Sequence, residues 1–434
     1  MNFPVDRAGI SPYKKLPAMS TFRIKVSLYL NYFVFAILLN SVGILISQSQ
    51  EQYHVTKLAA SSLEAFKDLS IAFVSFLVGS FLPKLGYKRG MLISLALVFF
   101  GCIGMYYGNS FSSVQILFAC VGISFAIVKV SVYSLVGAIT NSDNEHKSLL
   151  SSIESMFMVG IAAAAFSFPQ FFSDTDPNAW LRIYLVLAAF IAISFFFLLF
   201  SDFTMKQQVA VTSVKANFSE MFKLMKKPLV IVFAVAAFMY VMTEQGIMSW
   251  LPTFNKEILH LPLNVSIYLS VIFSLSIALG RYLTSLLVKR ISWILLLLVC
   301  LIGAAAMVVF VLPHAANLKP VAITRMADVP MIAYVFPLIG FFLAPIYPLI
   351  NSFVLSATDK IFHSPMASLL VFFSAIGGTL GSRLVAYLFE RIGGQKAFYF
   401  SLVPLSLLVI CILYFSGQQK KSGTKLTPIA GGGH

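Results

Sequence analysis

Long apolar runs, separated by short polar intervals, follow one another along almost the whole chain. They fall at about 25–48, 63–82, 91–108, 112–136, 148–172, 180–200, 228–251, 265–288, 292–312, 330–355, 365–389 and 396–415. A hydrocarbon layer about 30 Å thick takes about 20 apolar residues of helix to cross, so each run predicts one transmembrane span, twelve in all. Lipid offers backbone groups no hydrogen-bond partners, so the spans are expected to be helices and the fold class all-α. The longest polar interval between spans, 201–227, divides six from six and holds five lysines. The expected organisation is a segment 1–24, a six-helix bundle 25–200, a linker 201–227, a second bundle 228–415 and a tail 416–434 ending in Gly431-Gly432-Gly433-His434, which reads as a tag remnant.

Composition agrees with a chain that faces lipid. Only 11% of residues are charged, against about a quarter in a soluble domain, and the mean hydropathy is +0.89. Residues 1–21 contain no apolar core of a cleaved leader, so the first run is expected to be retained as a span. Cys102, Cys120, Cys300 and Cys411 all lie inside apolar runs without CxxC spacing and read as small buried hydrophobes. No metal or cofactor is expected, and no nucleotide loop or nucleophile–base constellation suggests an enzyme. Gly377-Gly378-x-x-Gly381 sits in mid-span, where small residues let helices approach closely. It is not read as a phosphate cradle.

The net charge of +15 would raise the question of nucleic acid in a soluble protein. Here its placement follows the loops. With the N-terminus placed in the cytoplasm, 20 of the 31 Lys and Arg fall in cytoplasmic segments, seven on the opposite side and four within spans. That asymmetry is the positive-inside signal. Both termini are therefore expected in the cytoplasm of a cell membrane, read as a bacterial inner membrane, and no nucleic-acid partner is expected.

The two halves repeat. Gly79 precedes Lys88-Arg89 by nine and ten residues, as Gly280 precedes Lys289-Arg290, at an offset of 201. A longer loop at 313–329 shifts the offset to 217, which places Gly160 on Gly377. Two parallel six-helix repeats with a site between them near the midplane are a transporter architecture.

The segment Gly79-Ser-Phe-Leu-Pro83-Lys84-Leu-Gly86-Tyr-Lys88-Arg89 resembles the span 2–3 loop of the major facilitator superfamily, G-x-x-x-D-K/R-x-G-R/K-K/R. It departs at Pro83, where the family usually has Asp. Within that superfamily, Glu244-Gln245-Gly246-x-x-Ser249-Trp250-Leu-Pro252, Gly280-Arg281 and Gly340-Phe-Phe-x-x-Pro345-Ile-Tyr347-Pro348 are similar to the fucose–galactose–glucose:proton symporter branch. The resemblance covers roughly 25–415. It implies two pseudo-symmetric bundles, alternating access by a monomer, and gating roles for Lys84, Gly86, Lys88, Arg89 and Arg281. It also implies that spans 4 and 10 line the cavity. Permeases of that branch carry acids in spans 1 and 4; here span 1 offers Asn31 and Asn40, and span 4 offers Lys129.

Ionisable residues at membrane depth are costly, by at least about 2.5–3.5 kcal/mol on insertion scales, and mark function by default. Counting about 1.5 Å per residue, Asn31, Lys129 and Glu154 share a level roughly 7–9 Å towards the cytoplasm. Glu244 and Arg383 share a level on the opposite side of centre. Two charge pairs follow, Lys129–Glu154 and Glu244–Arg383, serving either helix register or the transport cycle. Tyr133, Tyr240 and Asn351 stand one turn from Lys129, Glu244 and Tyr347 respectively, on shared faces suited to a polar solute. With Gln245 they form the expected substrate-binding set: Asn31, Lys129, Tyr133, Tyr240, Gln245, Tyr347 and Asn351. Glu64, Lys67 and Asp68 open span 2, with Asp68 a second candidate for proton coupling, or an outer gate with Lys67. Arg281 has an alternative reading as a residue that snorkels to the interface. All six histidines lie in loops or the tail, so a coupling proton is expected on a carboxylate. The leading expectation is a proton-coupled transporter of a small polar solute such as a sugar or sugar-like compound. The alternatives are an organic-anion transporter with Lys129 as counter-charge, or a non-transporting membrane sensor.

Overall fold

The computed structural model describes residues 18–140, 143–173, 175–201, 225–288, 290–315, 328–356 and 363–422. Span 1 comprises Ala18–Asn40 and Val42–Tyr53, spans 2 to 4 are Ser62–Leu85, Tyr87–Gly108 and Phe111–Ile139, and spans 5 and 6 are Asp143–Ser167 and Arg182–Leu199. Spans 7 and 8 are Pro228–Glu257 and Leu263–Leu287; span 9 is Trp293–Ala306, continued by the π-helical turn Met307–Val311. Span 10 is assembled from Ile332–Val335, Phe336–Leu338, Ile339–Leu343 and Ile346–Ser356, span 11 is His363–Ile392, and span 12 is Gly394–Tyr399 with Leu402–Ser422. Eleven helical stretches among the described residues are long and apolar enough to cross a membrane. The 24-residue helix Ser62–Leu85 supplies the twelfth span.

Local chemistry sets where the helices begin, bend and break. The Ser110 and Ser292 hydroxyls accept from the backbone N–H of Ser113 and Leu295 at 3.2 and 3.3 Å, capping spans 4 and 9. Gly86, at φ 91°, makes the turn between spans 2 and 3 in a region that favours glycine. Span 1 bends at Ser41, whose hydroxyl donates to the Leu38 carbonyl at 2.8 Å and so competes with the helix ladder. Span 10 is interrupted at Ala344-Pro345, as expected for a proline that has no N–H to give the ladder.

The mid-span glycines fix how the helices cross. A Cβ on Gly377 would stand 2.4 Å from the Phe238 carbonyl oxygen, and one on Gly381 2.2 Å from that of Met242. Spans 7 and 11 therefore touch backbone to backbone. In the first half, Gly160 of span 5 meets the Phe33 carbonyl of span 1 at 2.5 Å on the same construction. Gly160 and Gly377 are the positions the 217-residue offset equates, so the repeat read in the sequence is a repeat of helix crossings.

Take the near side as the one carrying the described chain ends, and the far side as its opposite. The polar links found between the halves gather on the far side. Ser47 and Thr253 share a hydrogen bond of 2.8 Å, Lys256 pairs with Glu51 at 2.6 Å and Lys57 with Glu257 at 3.0 Å. The Leu58 N–H donates to Glu390 at 3.0 Å and Gln170 to the Tyr268 hydroxyl at 2.7 Å. At the inner end of this seal spans 1 and 7 are almost in backbone contact, a Cβ on Gly43 falling 2.9 Å from the Ser249 carbonyl oxygen.

Candidate functional site

Below the far-side seal, between the halves, lies a cavity of about 260 Å³. Spans 1, 4 and 5 contribute Tyr32, Asn40, Phe125, Lys129, Glu154, Phe157, Met158 and Ile161 to its wall, and spans 7 and 8 contribute Glu244, Gln245, Met248, Ser274, Ile277 and Arg281. Apolar and aromatic side chains supply most of that surface, and four charged groups converge on it. This is the usual makeup of a small-solute site.

Each carboxylate is held from behind by a tyrosine. The Tyr133 hydroxyl of span 4 donates to Glu154 of span 5 at 3.1 Å, and the Tyr240 hydroxyl donates to Glu244 one turn along span 7 at 2.8 Å. Tyr240 is buried and its ring lies 5.5 Å from that of Tyr347, just beyond the break in span 10. The tyrosines and Tyr347 therefore brace the charged wall. Arg281 of span 8 approaches Glu244 at 4.0 Å and also stands within electrostatic reach of Glu154 across the cavity. Lys129 places its ammonium 5.9 Å from the centre of the Phe125 ring, a cation–π distance.

The expected residues divide in the structure. Lys129, Glu154, Glu244 and Gln245 meet in one cavity, although the depth count assigned the three charged residues to two levels. Asn31 does not reach it: buried between spans 1 and 6, its amide donates to the Ser27 carbonyl at 2.7 Å and to the Ser194 hydroxyl at 2.8 Å. It is a bolt between helices, chosen for that role because a buried amide must find partners. The Glu244–Arg383 pair is replaced by Glu244–Arg281, for Arg383 is exposed on the outer face of span 11. Arg281 does not snorkel to the interface but turns into the cavity. Asn351 is half-buried and is not among the residues of the cavity wall.

In the signature loop, Lys84 and Arg89 are exposed. Lys88 donates to the carbonyls of Leu199 and Ser201 at 3.0 and 2.5 Å, tying the loop to the end of span 6. That contact is within one half and satisfies orphan carbonyls at a helix C-terminus. Tyr32, Met248 and Ser274 were not expected in the wall, and Asn40, noted in span 1 but left out of the substrate-binding set, lines it just before the bend at Ser41.

Asp68 is not among the residues of the cavity wall but sits in a buried cluster in the far-side part of span 2. Lys67 pairs with Glu64 at 2.6 Å and with Asp68 at 3.4 Å. The Ser249 hydroxyl of span 7 donates to Glu64, and a Cβ on Gly378 of span 11 would meet the Asp68 carboxylate at 2.7 Å. The cluster thus belongs to span 2 and leans on the second half. A small space of about 50 Å³, walled by Asn40, Gly43, Glu64, Lys67, Gln245 and Ser249 among others, connects its level to that of the main cavity.

Two helical halves sealed on one side, with a charged cavity between them, define a polytopic membrane carrier. The chain belongs to the Major Facilitator Superfamily, whose sequence model matches residues 28–382. Among solved structures it is similar to the nucleoside transporter NupG, with a TM-score of 0.68 at 15% identity, covering 92% of this chain and 99% of that one. The Escherichia coli fucose:proton symporter FucP gives 0.60 at 14% identity, covering 91% and 99%. A POT family transporter in complex with a thioalcohol-conjugated peptide gives 0.67 at 14% identity, covering 91% and 96%. None of the curated proteins matches the sequence.

Proposed function

We propose that the protein is a secondary active transporter that moves a small polar solute through the Lys129–Glu154–Glu244–Arg281 cavity by alternating access, coupled to protons. The observation that carries this reading is the placement of four charges, two from each half, in a space sealed on one side by contacts between those same halves. Breaking the far-side contacts and closing the opposite side would present the same groups to the other compartment. With both termini in the cytoplasm of a bacterial inner membrane, the present arrangement faces inward, and the protein works as a monomer.

Glu244 is the proposed proton carrier. It sits at the middle of span 7, faces a cation that can compensate its charge, and touches the solute space; Asp68, in the far-side cluster, is the second candidate. The similarity in fold to a fucose:proton symporter and a nucleoside transporter supports a small-solute substrate. A second reading, an organic-anion carrier with Lys129 as counter-charge, is favoured by the absence of any hydrogen bond or ion pair on Lys129 among the described residues.

The test uses a single cysteine at Met158, on the cavity wall, in cells and in inverted vesicles. Alternating access predicts labelling by an impermeant thiol reagent from both sides, at rates that change with the proton gradient. Labelling from one side under every condition rejects the proposal.

A further inference from the structure

The chemistry of the cavity points to the charge type of the solute. Resting on the transporter reading above, we infer that the substrate is a zwitterion, of the size of an amino acid or a very short peptide. Its carboxylate would lie between Lys129 and Arg281, and its ammonium between Glu154 and Glu244.

Three observations carry this. First, among the described residues the wall holds two acids and two bases, one of each from each half: Lys129 with Glu154, and Arg281 with Glu244. Their formal charges cancel. Second, they are not closed into pairs. Glu244 and Arg281 approach only to 4.0 Å, whereas the salt bridges of the far-side seal and of the span 2 cluster close to 2.6–3.0 Å at their tightest. Among the described residues Lys129 has no carboxylate within salt-bridge distance, and the Arg281 Nε is buried without a hydrogen-bond partner. Third, each carboxylate is tethered through one oxygen by a tyrosine in the wall, which fixes its position and leaves the other oxygen to accept from a solute.

Those features separate the solute classes. A neutral sugar would close the cavity over four spaced charges without supplying a counter-charge to any of them, and buried charges need partners. An anion would satisfy Lys129 and Arg281 but leave a net negative charge enclosed with two unpaired carboxylates; a cation would leave the reverse. A zwitterion gives each of the four a partner and keeps the occluded cavity neutral. The volume of about 260 Å³ falls just below the usual range of ligand pockets, about 300–1,000 Å³, and suits a small solute.

The experiment is a thermal-shift and binding series on the purified protein. The probes are the twenty L-amino acids and the dipeptides Ala-Ala and Gly-Leu, with L-fucose, uridine and succinate as comparators. The result expected is that at least one zwitterion raises Tm saturably. Its N-acetyl and methyl-ester derivatives, each lacking one charge, should bind about tenfold more weakly or worse, the usual loss with a charged hydrogen bond. Lys129→Met should lose that affinity, while Lys129→Arg, which keeps the charge, should retain most of it; Tm without solute reports whether either variant is folded. The inference is overturned if no zwitterion shifts Tm, or if the N-acetyl derivative binds as well as its parent. Stabilisation by fucose, uridine or succinate in place of the zwitterions also overturns it while leaving the transporter reading intact, and that reading is tested separately by the solute-free labelling at Met158.

Discussion

Glu244 of span 7 and Arg281 of span 8 face each other at 4.0 Å in the cavity wall, with the Tyr240 hydroxyl holding the carboxylate from behind at 2.8 Å. The gap is wide enough to leave both groups open to a solute and narrow enough for the two charges to attract when none intervenes. A proton arriving at Glu244 would release Arg281 to a solute anion, and loss of that proton would draw it back. Glu244→Gln removes the titratable group while preserving shape. It is expected to abolish accumulation driven by a proton gradient and to weaken solute binding, while leaving Tm near its original value. Uptake assays with and without the gradient check this; unchanged gradient-driven uptake would shift the coupling role to Glu154 or Asp68.

Lys129 and Glu154 lend themselves to a double-mutant comparison. If they serve only helix register, removing one should destabilise by about 3–5 kcal/mol and removing both should restore most of it, as for a buried ion pair. The cavity placement predicts otherwise: Lys129→Ala should cost solute affinity out of proportion to Tm, and the double variant should stay inactive. Melting curves and binding measured together on the three variants decide between these outcomes.

How far the sequence reached depended on what membrane physics makes visible. Twelve spans, the repeat and the break at Pro345 were legible because lipid punishes unpaired backbone and proline withholds a donor. Lys129, Glu154 and Glu244 stood out because charge at depth is rare. Which way a polar side chain faces was not legible, since spans buried against protein and spans exposed to lipid are equally apolar and carry no amphipathic stripe. That is why Asn31, turned to Ser194, was expected in the substrate site, and Arg383, turned outward, as the partner of Glu244. The family resemblance gave Arg281 a gating role, whereas the rotation of span 8 turns its guanidinium into the cavity wall beside Glu244.

The close crossing of spans 7 and 11 makes a packing prediction. Gly381→Val would drive a side chain into the Met242 carbonyl, 2.2 Å from the first added carbon. Overpacking of this kind costs about 1–3 kcal/mol or more, so Tm should fall and expression with it. Gly417→Val, where a Cβ meets nothing within 4 Å, should leave Tm unchanged in the same assay.

Topology can be read from two exposed positions. Thr175 lies in the far-side connection between spans 5 and 6, and Lys226 just before span 7 on the near side. With both termini cytoplasmic, Thr175→Cys should react with an impermeant thiol reagent in intact cells and Lys226→Cys only after lysis. The reverse pattern would invert the orientation.

The central claim is that the two halves part on the far side to expose the charged cavity. Spin labels at Thr175 and Asn264, both exposed on the far side but on opposite halves, report that separation without knowledge of the solute. Glu64 and Lys67 form the inner end of the seal, so Glu64→Gln and Lys67→Met should weaken it. Pulsed dipolar distance measurements on the reconstituted protein should show two populations, the longer one growing in both variants. A single distance, unchanged in the parent and in both variants, would contradict alternating access about this cavity.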